Sequence, residues 1–167
     1  MTKLHLKYFL FAFVLYLVQS AANTVFTHQE FLIPQLTILF VLVFAVTHST
    51  QETVWMSFAV GVLAEFSSGV FFGGQIFIHL FTAILAYFVT RKLTDREINW
   101  PTVIMLVAGS TLLLPLWIFL YEHLFALFGM TRAASFSQLY SWHLIWTIII
   151  NFIFFYPLDL FRRFVEK

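Results

Sequence analysis

The sequence ETVWMSFAVGVLAEFSSGVFFGGQIFIHLFTAILAYFVTRK, residues 52–92, holds two apolar segments, a glycine-bearing turn between them and a basic end. Small residues and one carboxylate recur in it at every fourth position: Ser57, Gly61, Glu65, Gly69 and Gly73. On a continuous helix this spacing places side chains on one face, and a face without large side chains lets another helix approach closely in lipid. Ser67, Ser68 and Gly69 favour a break in the helix. We therefore predict that the small residues share one helix face only as far as Glu65. We expect a partner-binding or structural motif here.

The composition of the whole chain is that of a membrane protein. Of its 167 residues, 61% are hydrophobic and only 10% are charged, and the mean hydropathy is +0.90. A soluble domain carries about 25% charged residues, and no soluble core could bury this much apolar surface, so the bilayer must be the solvent. The sequence has no basic patch with interleaved aromatic residues, which argues against nucleic-acid binding. Without cysteine, it has no disulfide, thiol nucleophile or cysteine-ligated metal.

Six apolar runs predict an all-α integral membrane protein with six transmembrane helices in a single membrane domain, residues 1–167. The predicted spans are 4–24, 31–48, 50–66, 74–91, 100–123 and 139–160. The third apolar run alone would cover roughly 21 Å as a helix, less than the ~30 Å hydrocarbon core. We therefore expect its helix to begin earlier, near Ser49, or to lie where the bilayer is thinned. Pro34 is expected in the first turn of the second span. Pro115 is expected to kink the fifth span and Pro157 to break the sixth.

The basic residues predict that both termini lie in the cytoplasm. An even number of crossings puts both ends on one side, and with both ends inside only Arg132 faces outward, as the positive-inside rule requires. The basic residues that then face the cytoplasm are Lys3, Lys7, Arg91, Lys92, Arg96, Arg162, Arg163 and Lys167. A five-span alternative, in which the short third run only dips into the membrane, would place the C-terminal basic cluster outside.

The first run also has features of a secretory signal peptide. Lys3 and Lys7 lead an apolar stretch, and the small residues Ser20, Ala21 and Ala22 would suit a cleavage site. Because the downstream sequence is also membrane-embedded in character, we expect an uncleaved first span.

No residue pattern for catalysis or metal binding stands out. The six histidines include no pair three or four residues apart on one helix, and H-E-x-x-H, G-x-S-x-G and P-loop motifs are absent from the sequence. Glu122 and His123 are adjacent, so on a helix they face about 100° apart and do not naturally bond each other. We expect neither an enzyme nor a cofactor.

Glu65 is the residue that its chemistry singles out. A carboxylate in apolar sequence is costly, on the order of 2.5–3.5 kcal/mol at a helix centre, and less near a helix end. Three interpretations stay open: a solvated or capped interfacial carboxylate, a contact to a partner or to backbone N–H groups of the following turn, and a proton or cation site. His79 could reach it across the hairpin, but a lone histidine in a span more often bonds a neighbouring backbone group. The same interpretation covers Asn151, Gln75 and Asp159.

The pattern Gly61-x-x-x-Glu65-x-x-Ser68-Gly69-x-x-x-Gly73, followed by an apolar span with a basic end, resembles a motif of the rod shape-determining protein MreD family. In that family the motif reads roughly G-x-x-x-D-x-x-S-G-x-x-x-G. Glu65 stands where the family usually has Asp, which keeps the charge but adds a methylene.

Further similarities extend over nearly the whole chain. Gln19 matches a polar residue late in the family's first span, and Pro34-Gln35-Leu36 resembles its P-[DN]-L-like opening of the second span, with Gln35 in place of Asp or Asn. Tyr156-Pro157-Leu158, followed by Arg162-Arg163, is similar to the family's closing segment.

The resemblance implies a non-enzymatic inner-membrane scaffold of the bacterial elongation machinery. Such proteins bind the bitopic protein MreC and, through it, connect MreB filaments with the peptidoglycan synthases RodA and the class B penicillin-binding protein. The resemblance also implies a fold like that of the substrate-binding subunits of energy-coupling-factor vitamin transporters.

The alternative function is that of such a transporter subunit itself. The same six-helix plan would serve it, but it needs a pocket with several convergent polar groups. The sparse polar residues of the apolar runs count against this alternative.

Overall fold

The computed structural model describes residues 3–25, 34–66, 73–93, 100–129 and 143–165. The helices are α1 Lys3–Val25, α2 Leu36–Thr47, α3 Thr50–Glu65, α4 Gly74–Phe88, α5 Trp100–Ala126 and α6 His143–Val165. A π-helical segment, Val89–Leu93, extends α4. All regular structure within these described ranges is helical, which confirms the all-α class.

Among the described residues, four helical segments are long and apolar enough to cross a bilayer: His5–Val25, Gly74–Arg91, Trp100–Ala126 and Leu144–Phe161. They confirm a multi-pass membrane protein. The other two helices are shorter, since α2 has 12 residues and α3 has 16. At 1.5 Å per residue these two extend about 18 and 24 Å, against a hydrocarbon core of ~30 Å. The number of spans therefore stays a prediction.

Helix α2 is the centre of the bundle. Every residue from Leu36 to Ala45 is buried, and α2 contacts α1, α3, α4, α5 and α6. A helix that is apolar on all sides is typical of such an enclosed position. Tyr8 of α1 packs edge-on against Phe44 of α2, with ring centroids 5.2 Å apart.

The most extensive helix pair is the hairpin of α3 and α4. Helix α3 begins after Ser49, whose hydroxyl accepts a hydrogen bond from the N–H of Glu52, while the Glu52 carboxylate accepts one from the N–H of Ser49. This reciprocal arrangement is a capping box. It confirms the expectation that the third helix begins near Ser49.

Two of the sequence-based expectations for the prolines are wrong. Pro34 lies before α2, not in its first turn, because the helix begins at Leu36 with Gln35 as its N-cap. Pro157 does not break the last helix, since α6 continues through it to Val165. Helices in membranes tolerate proline when neighbouring groups satisfy the freed backbone. The i,i+4 ion pair of Asp159 and Arg163, 3.0 Å apart, supports the turn that follows.

Pro115 also lies inside a continuous helix, α5, and the expected kink there stays a prediction.

Candidate functional site: buried helix caps around a polar cavity

Glu65 caps the start of the next helix. Its Oε2 accepts hydrogen bonds from the backbone N–H groups of Gln75, at 3.0 Å, and Ile76, at 3.3 Å. The first N–H groups of a helix have no partner within it, and the positive end of the helix dipole favours a carboxylate there. Glu65 is only 9% exposed. The structure therefore favours the interpretation in which the carboxylate binds the backbone of the following turn.

The cap must come from another helix because α4 cannot supply one. Its N-cap residue is Gly73, which has no side chain and adopts a left-handed conformation with φ +105°. Glycine adopts such a φ without steric cost, whereas other residues are strained there. Gly73 thus provides the left-handed residue before α4, and Glu65 provides the acceptor that an N-cap side chain usually provides.

Gly61 brings α3 close enough for this contact. A Cβ atom added to Gly61 would lie 2.6 Å from the Cα of Ile76 and 3.3 Å from the carbonyl oxygen of Gln75. One turn earlier, the buried hydroxyl of Ser57 donates to the carbonyl of Thr53 at 2.7 Å. Gly61 therefore faces α4 of the same chain, and its close approach is intramolecular, whereas the Ser57 hydroxyl bonds its own helix.

The start of α2 is capped from α1. The Oε1 atom of Gln19 accepts hydrogen bonds from the backbone N–H of Thr37, at 3.0 Å, and from its hydroxyl, at 3.3 Å. Thr37 is the second residue of α2, the position that an N-cap side chain normally satisfies. The N-cap residue of α2 itself, Gln35, makes no such side-chain bond.

Asn151 of α6 also binds the start of α2. Its Oδ1 accepts a hydrogen bond from the N–H of Gln35 at 2.9 Å. Its Nδ2 donates to the Oε1 of Gln35 at 3.3 Å and to the hydroxyl of Thr111, on α5, at 3.0 Å. Asn151 is 1% exposed, so this network joins α2, α5 and α6 inside the protein, where an unsatisfied polar group is costly.

A polar cavity of about 320 Å³ lies beside these helix starts. It lies at the start of α2, because Gln35, Thr37 and Ile38 are part of its wall. Its wall includes Gln19, Gln35, Thr37, Gln75 and His79. The cavity therefore brings together, from three helices and the N-cap of α2, polar residues that the sequence scatters over distant positions.

The predicted site residues separate into three groups. Ser57, Gly61, Glu65 and Gly73 lie along the α3–α4 hairpin, and Gln35 binds Asn151 at the start of α2, with Pro34 directly before it. Ser68 and Gly69 lie outside the described residues. The His79 ring donates a hydrogen bond of 2.7 Å to the carbonyl of Gln75, which confirms the favoured interpretation that this histidine bonds a neighbouring backbone group.

Two residues of the caps were not predicted from the sequence. Thr37 and Thr111 carry ordinary hydroxyls in apolar helices, where threonine most often bonds the carbonyl four residues back, as Thr111 also does to Val107. The only signal was the presence of Gln19 and Asn151, two amides in apolar sequence that must find partners.

A family model described as rod shape-determining protein MreD matches residues 2–165. The chain belongs to the MreD family. The match covers nearly the whole sequence, and it agrees with the resemblance seen in the motif around Glu65. No curated protein and no solved structure matches the chain significantly.

Membership of the family gives the general role. The protein takes part in rod shape determination as a multi-pass protein of the inner membrane, in a structural family that belongs to the rod-shape system with MreC. Peptidoglycan synthesis is the related pathway.

Proposed function

We propose that this protein is a non-enzymatic scaffold of the bacterial elongation machinery, which binds MreC and links MreB filaments to peptidoglycan synthesis by RodA and the class B penicillin-binding protein. The observation that carries this proposal is the family match over residues 2–165. In the same proposal the chain forms a single membrane domain with six spans and both termini in the cytoplasm, on a plan like that of energy-coupling-factor binding subunits. For the short α2 and α3 this requires a locally thinned bilayer or shielding by the longer helices.

In this proposal the motif of Ser57, Gly61, Glu65, Ser68, Gly69 and Gly73, with Pro34 and Gln35, is structural. Its described members bind other parts of the same chain and fix the hairpin and the start of α2. Substituting Gly61 or Glu65 would therefore disturb folding before it reported on a partner. We propose that the contact with MreC uses another surface.

A groove of about 550 Å³ between α1 and α3 offers that surface. Its lining includes Phe9, Trp55, Phe58 and Ala59, together with the half-buried pair of His5 and Glu52, which lie 3.1 Å apart. A bitopic partner brings one membrane helix, and helices in lipid associate where small residues such as Ala59 allow close packing. We propose that the membrane helix of MreC lies in this groove.

The test is affinity purification of the tagged protein in mild detergent, with mass spectrometry of the proteins recovered. We expect MreC in near-stoichiometric amount. Ala59→Trp, which fills the groove, should lower its recovery at least fivefold, whereas Ile153→Trp, on the exposed side of α6, should not. Absence of MreC from the wild-type preparation would contradict the scaffold function, and equal recovery with both variants would contradict the groove alone.

The second candidate function is the substrate-binding subunit of an energy-coupling-factor vitamin transporter. The polar cavity beside α2 is the observation that favours it, because such a subunit needs convergent polar groups. The same purification separates the two functions: a pair of ATPases in place of MreC would support the transporter.

A further inference from the structure

The groove between α1 and α3 has one polar end. The polar residues of its lining lie near the helix starts: His5 on α1, and Gln51 and Glu52 on α3. The other lining residues come later in the same two helices and are apolar or aromatic: Phe9, Trp55, Met56, Phe58 and Ala59. The groove therefore has a direction, from a polar end to an apolar length, as a membrane helix does.

The carboxylate of Glu52 keeps acceptor capacity at the polar end. Its Oε2 accepts hydrogen bonds from the N–H of Ser49, at 3.0 Å, and from its hydroxyl, at 2.7 Å. Its Oε1 accepts one from the ring of His5, at 3.1 Å. Each carboxylate oxygen has two lone pairs, so Oε1 can accept a further hydrogen bond. The side chain is 39% exposed, which leaves it accessible to a partner.

The charge of Glu52 has no permanent counterion among the described residues. The hydrogen bonds that it accepts favour the ionised carboxylate, yet its ion-pair partner is a histidine, whereas Asp159 pairs with Arg163. The described lining of the groove includes no Lys or Arg. The polar end therefore carries a negative charge that a cation can approach.

Trp55 marks the level of this end in the membrane. It follows Glu52 by three residues and is 66% exposed, and exposed indole rings settle at the membrane–water interface. In the proposed topology this is the cytoplasmic interface, where α1 and α3 both begin. Membrane helices carry an excess of Lys and Arg next to their cytoplasmic ends. A partner helix in the groove thus brings basic residues to the level of Glu52.

We propose that Glu52 binds a Lys or Arg at the cytoplasmic end of the MreC membrane helix. The groove accepts the apolar body of that helix, and the ion pair fixes its depth and direction. This inference rests on the proposed function, because it names the contact by which the groove recognises its partner. Charge pairs at the rim of an interface contribute specificity more than affinity. Loss of the pair should therefore weaken the complex without abolishing it.

The first experiment compares wild type with Glu52→Gln by copurification of full-length MreC in mild detergent. A capping box accepts either Glu or Gln at this position, so the variant removes the charge and keeps the start of α3. We expect the recovery of MreC to fall about threefold, as for a partly exposed ion pair. Raising the salt from about 0.05 to about 0.5 M should lower recovery with wild type but not with Glu52→Gln, because salt screens exposed charges.

The matched control is Asp159→Asn. It also removes a carboxylate at the cytoplasmic end of the proposed topology, but Asp159 pairs with Arg163 and does not line the groove. Recovery of MreC with this variant should equal that with wild type.

Charge reversal identifies the residue of the partner. Glu52→Lys should lower the recovery of MreC about tenfold, because like charges repel across an interface. A change to Glu at the basic residue of MreC nearest the cytoplasmic end of its membrane helix should restore the recovery. Glu52→Gln keeps the proposal testable if Glu52→Lys does not fold.

A photoreactive residue in place of Gln51, which is exposed and lines the groove, reports what occupies the polar end. We expect cross-links to the cytoplasmic end of the MreC helix. Cross-links to a phospholipid or to a second copy of this chain in their place would overturn the proposal.

Equal recovery of MreC with wild type, Glu52→Gln and Glu52→Lys would also overturn it, and the scaffold function would stand. If Ala59→Trp alone lowered the recovery, the groove would stand as well, without the ion pair. Absence of MreC from the wild-type preparation is a different result, which contradicts the scaffold function itself.

Discussion

The starts of α3 and α4 are capped in opposite ways, although the two helices form one hairpin. The cap of α3 is local and exposed: Ser49 and Glu52 satisfy each other's backbone N–H groups within one turn. The cap of α4 is remote and buried: Glu65, ten residues before Gln75, reaches from the end of another helix. The first arrangement can form in an isolated helix, but the second exists only once the hairpin has packed.

This difference determines what each cap does for the protein. If the local cap is lost, water can bind the freed N–H groups, so the cost is that of a helix terminus alone. If the buried cap is lost, water replaces it less readily, because Glu65 is buried and the freed N–H groups belong to partly buried residues, and the connection between α3 and α4 is lost as well. We therefore expect substitutions at the two caps to differ in cost.

The largest effect is expected at Glu65. Glu65→Ala removes the acceptor for the N–H groups of Gln75 and Ile76 and should lower the free energy of unfolding by about 3 kcal/mol. Thermal unfolding in detergent measures the loss, and hydrogen exchange should show faster exchange at these two amides.

The matched variant is Glu65→Gln, which keeps an oxygen acceptor of the same length but removes the charge. We expect it to cost about half as much as Glu65→Ala, because hydrogen bonds to charged groups are stronger than neutral ones. Unchanged exchange at Gln75 and Ile76 in both variants would show that the buried carboxylate does not cap α4.

A smaller loss is expected at Gly61, which tests the close approach that the remote cap requires. The Cβ of Gly61→Ala would lie 2.6 Å from the Cα of Ile76, so the two helices must separate, at a cost of about 2 kcal/mol. The control is Gly109→Ala on α5, where a Cβ meets nothing within 4 Å. There the higher helix propensity of alanine should stabilise the protein by up to about 1 kcal/mol. If both variants were destabilised equally, the loss of stability would come from replacing a glycine within a helix in general, and not from the contact between α3 and α4.

The sequence was sufficient to predict the start of α3, where the cap is local, but it was not sufficient to predict the remote caps of α4 and α2. The expectation that the third helix begins near Ser49 needed only the length of the apolar run, and Ser49 and Glu52 have the spacing of a capping box. For Glu65 the sequence left three interpretations open, because its cost in apolar sequence shows that a partner exists but not which one. Only the packed hairpin brings Gln75 and Ile76 to the carboxylate.

The same limit explains the start of the second helix. The sequence placed Pro34 in the first turn, since proline suits that position. The helix instead begins at Leu36, where Gln19 and Asn151 supply acceptors from α1 and α6. The boundary thus depends on contacts across 18 and 116 residues of sequence, and no local pattern contains that information. The apolar composition, in contrast, was sufficient for the membrane class and the helical fold.

The smallest effect is expected at Ser49, and it decides whether the comparison between the two caps holds. Ser49→Ala removes the hydroxyl that accepts from the N–H of Glu52 at 3.3 Å, but it leaves the bond from the Ser49 N–H to the Glu52 carboxylate. Because the site is exposed, water can bind the freed N–H, and we expect a loss of about 0.5–1 kcal/mol. Thermal unfolding beside Glu65→Ala gives the ratio directly. If Ser49→Ala lowers the free energy of unfolding as much as Glu65→Ala does, a buried cap stabilises this fold no more than an exposed one. A clearly smaller loss would mean that the remote cap stabilises the α3–α4 hairpin as well as the start of α4.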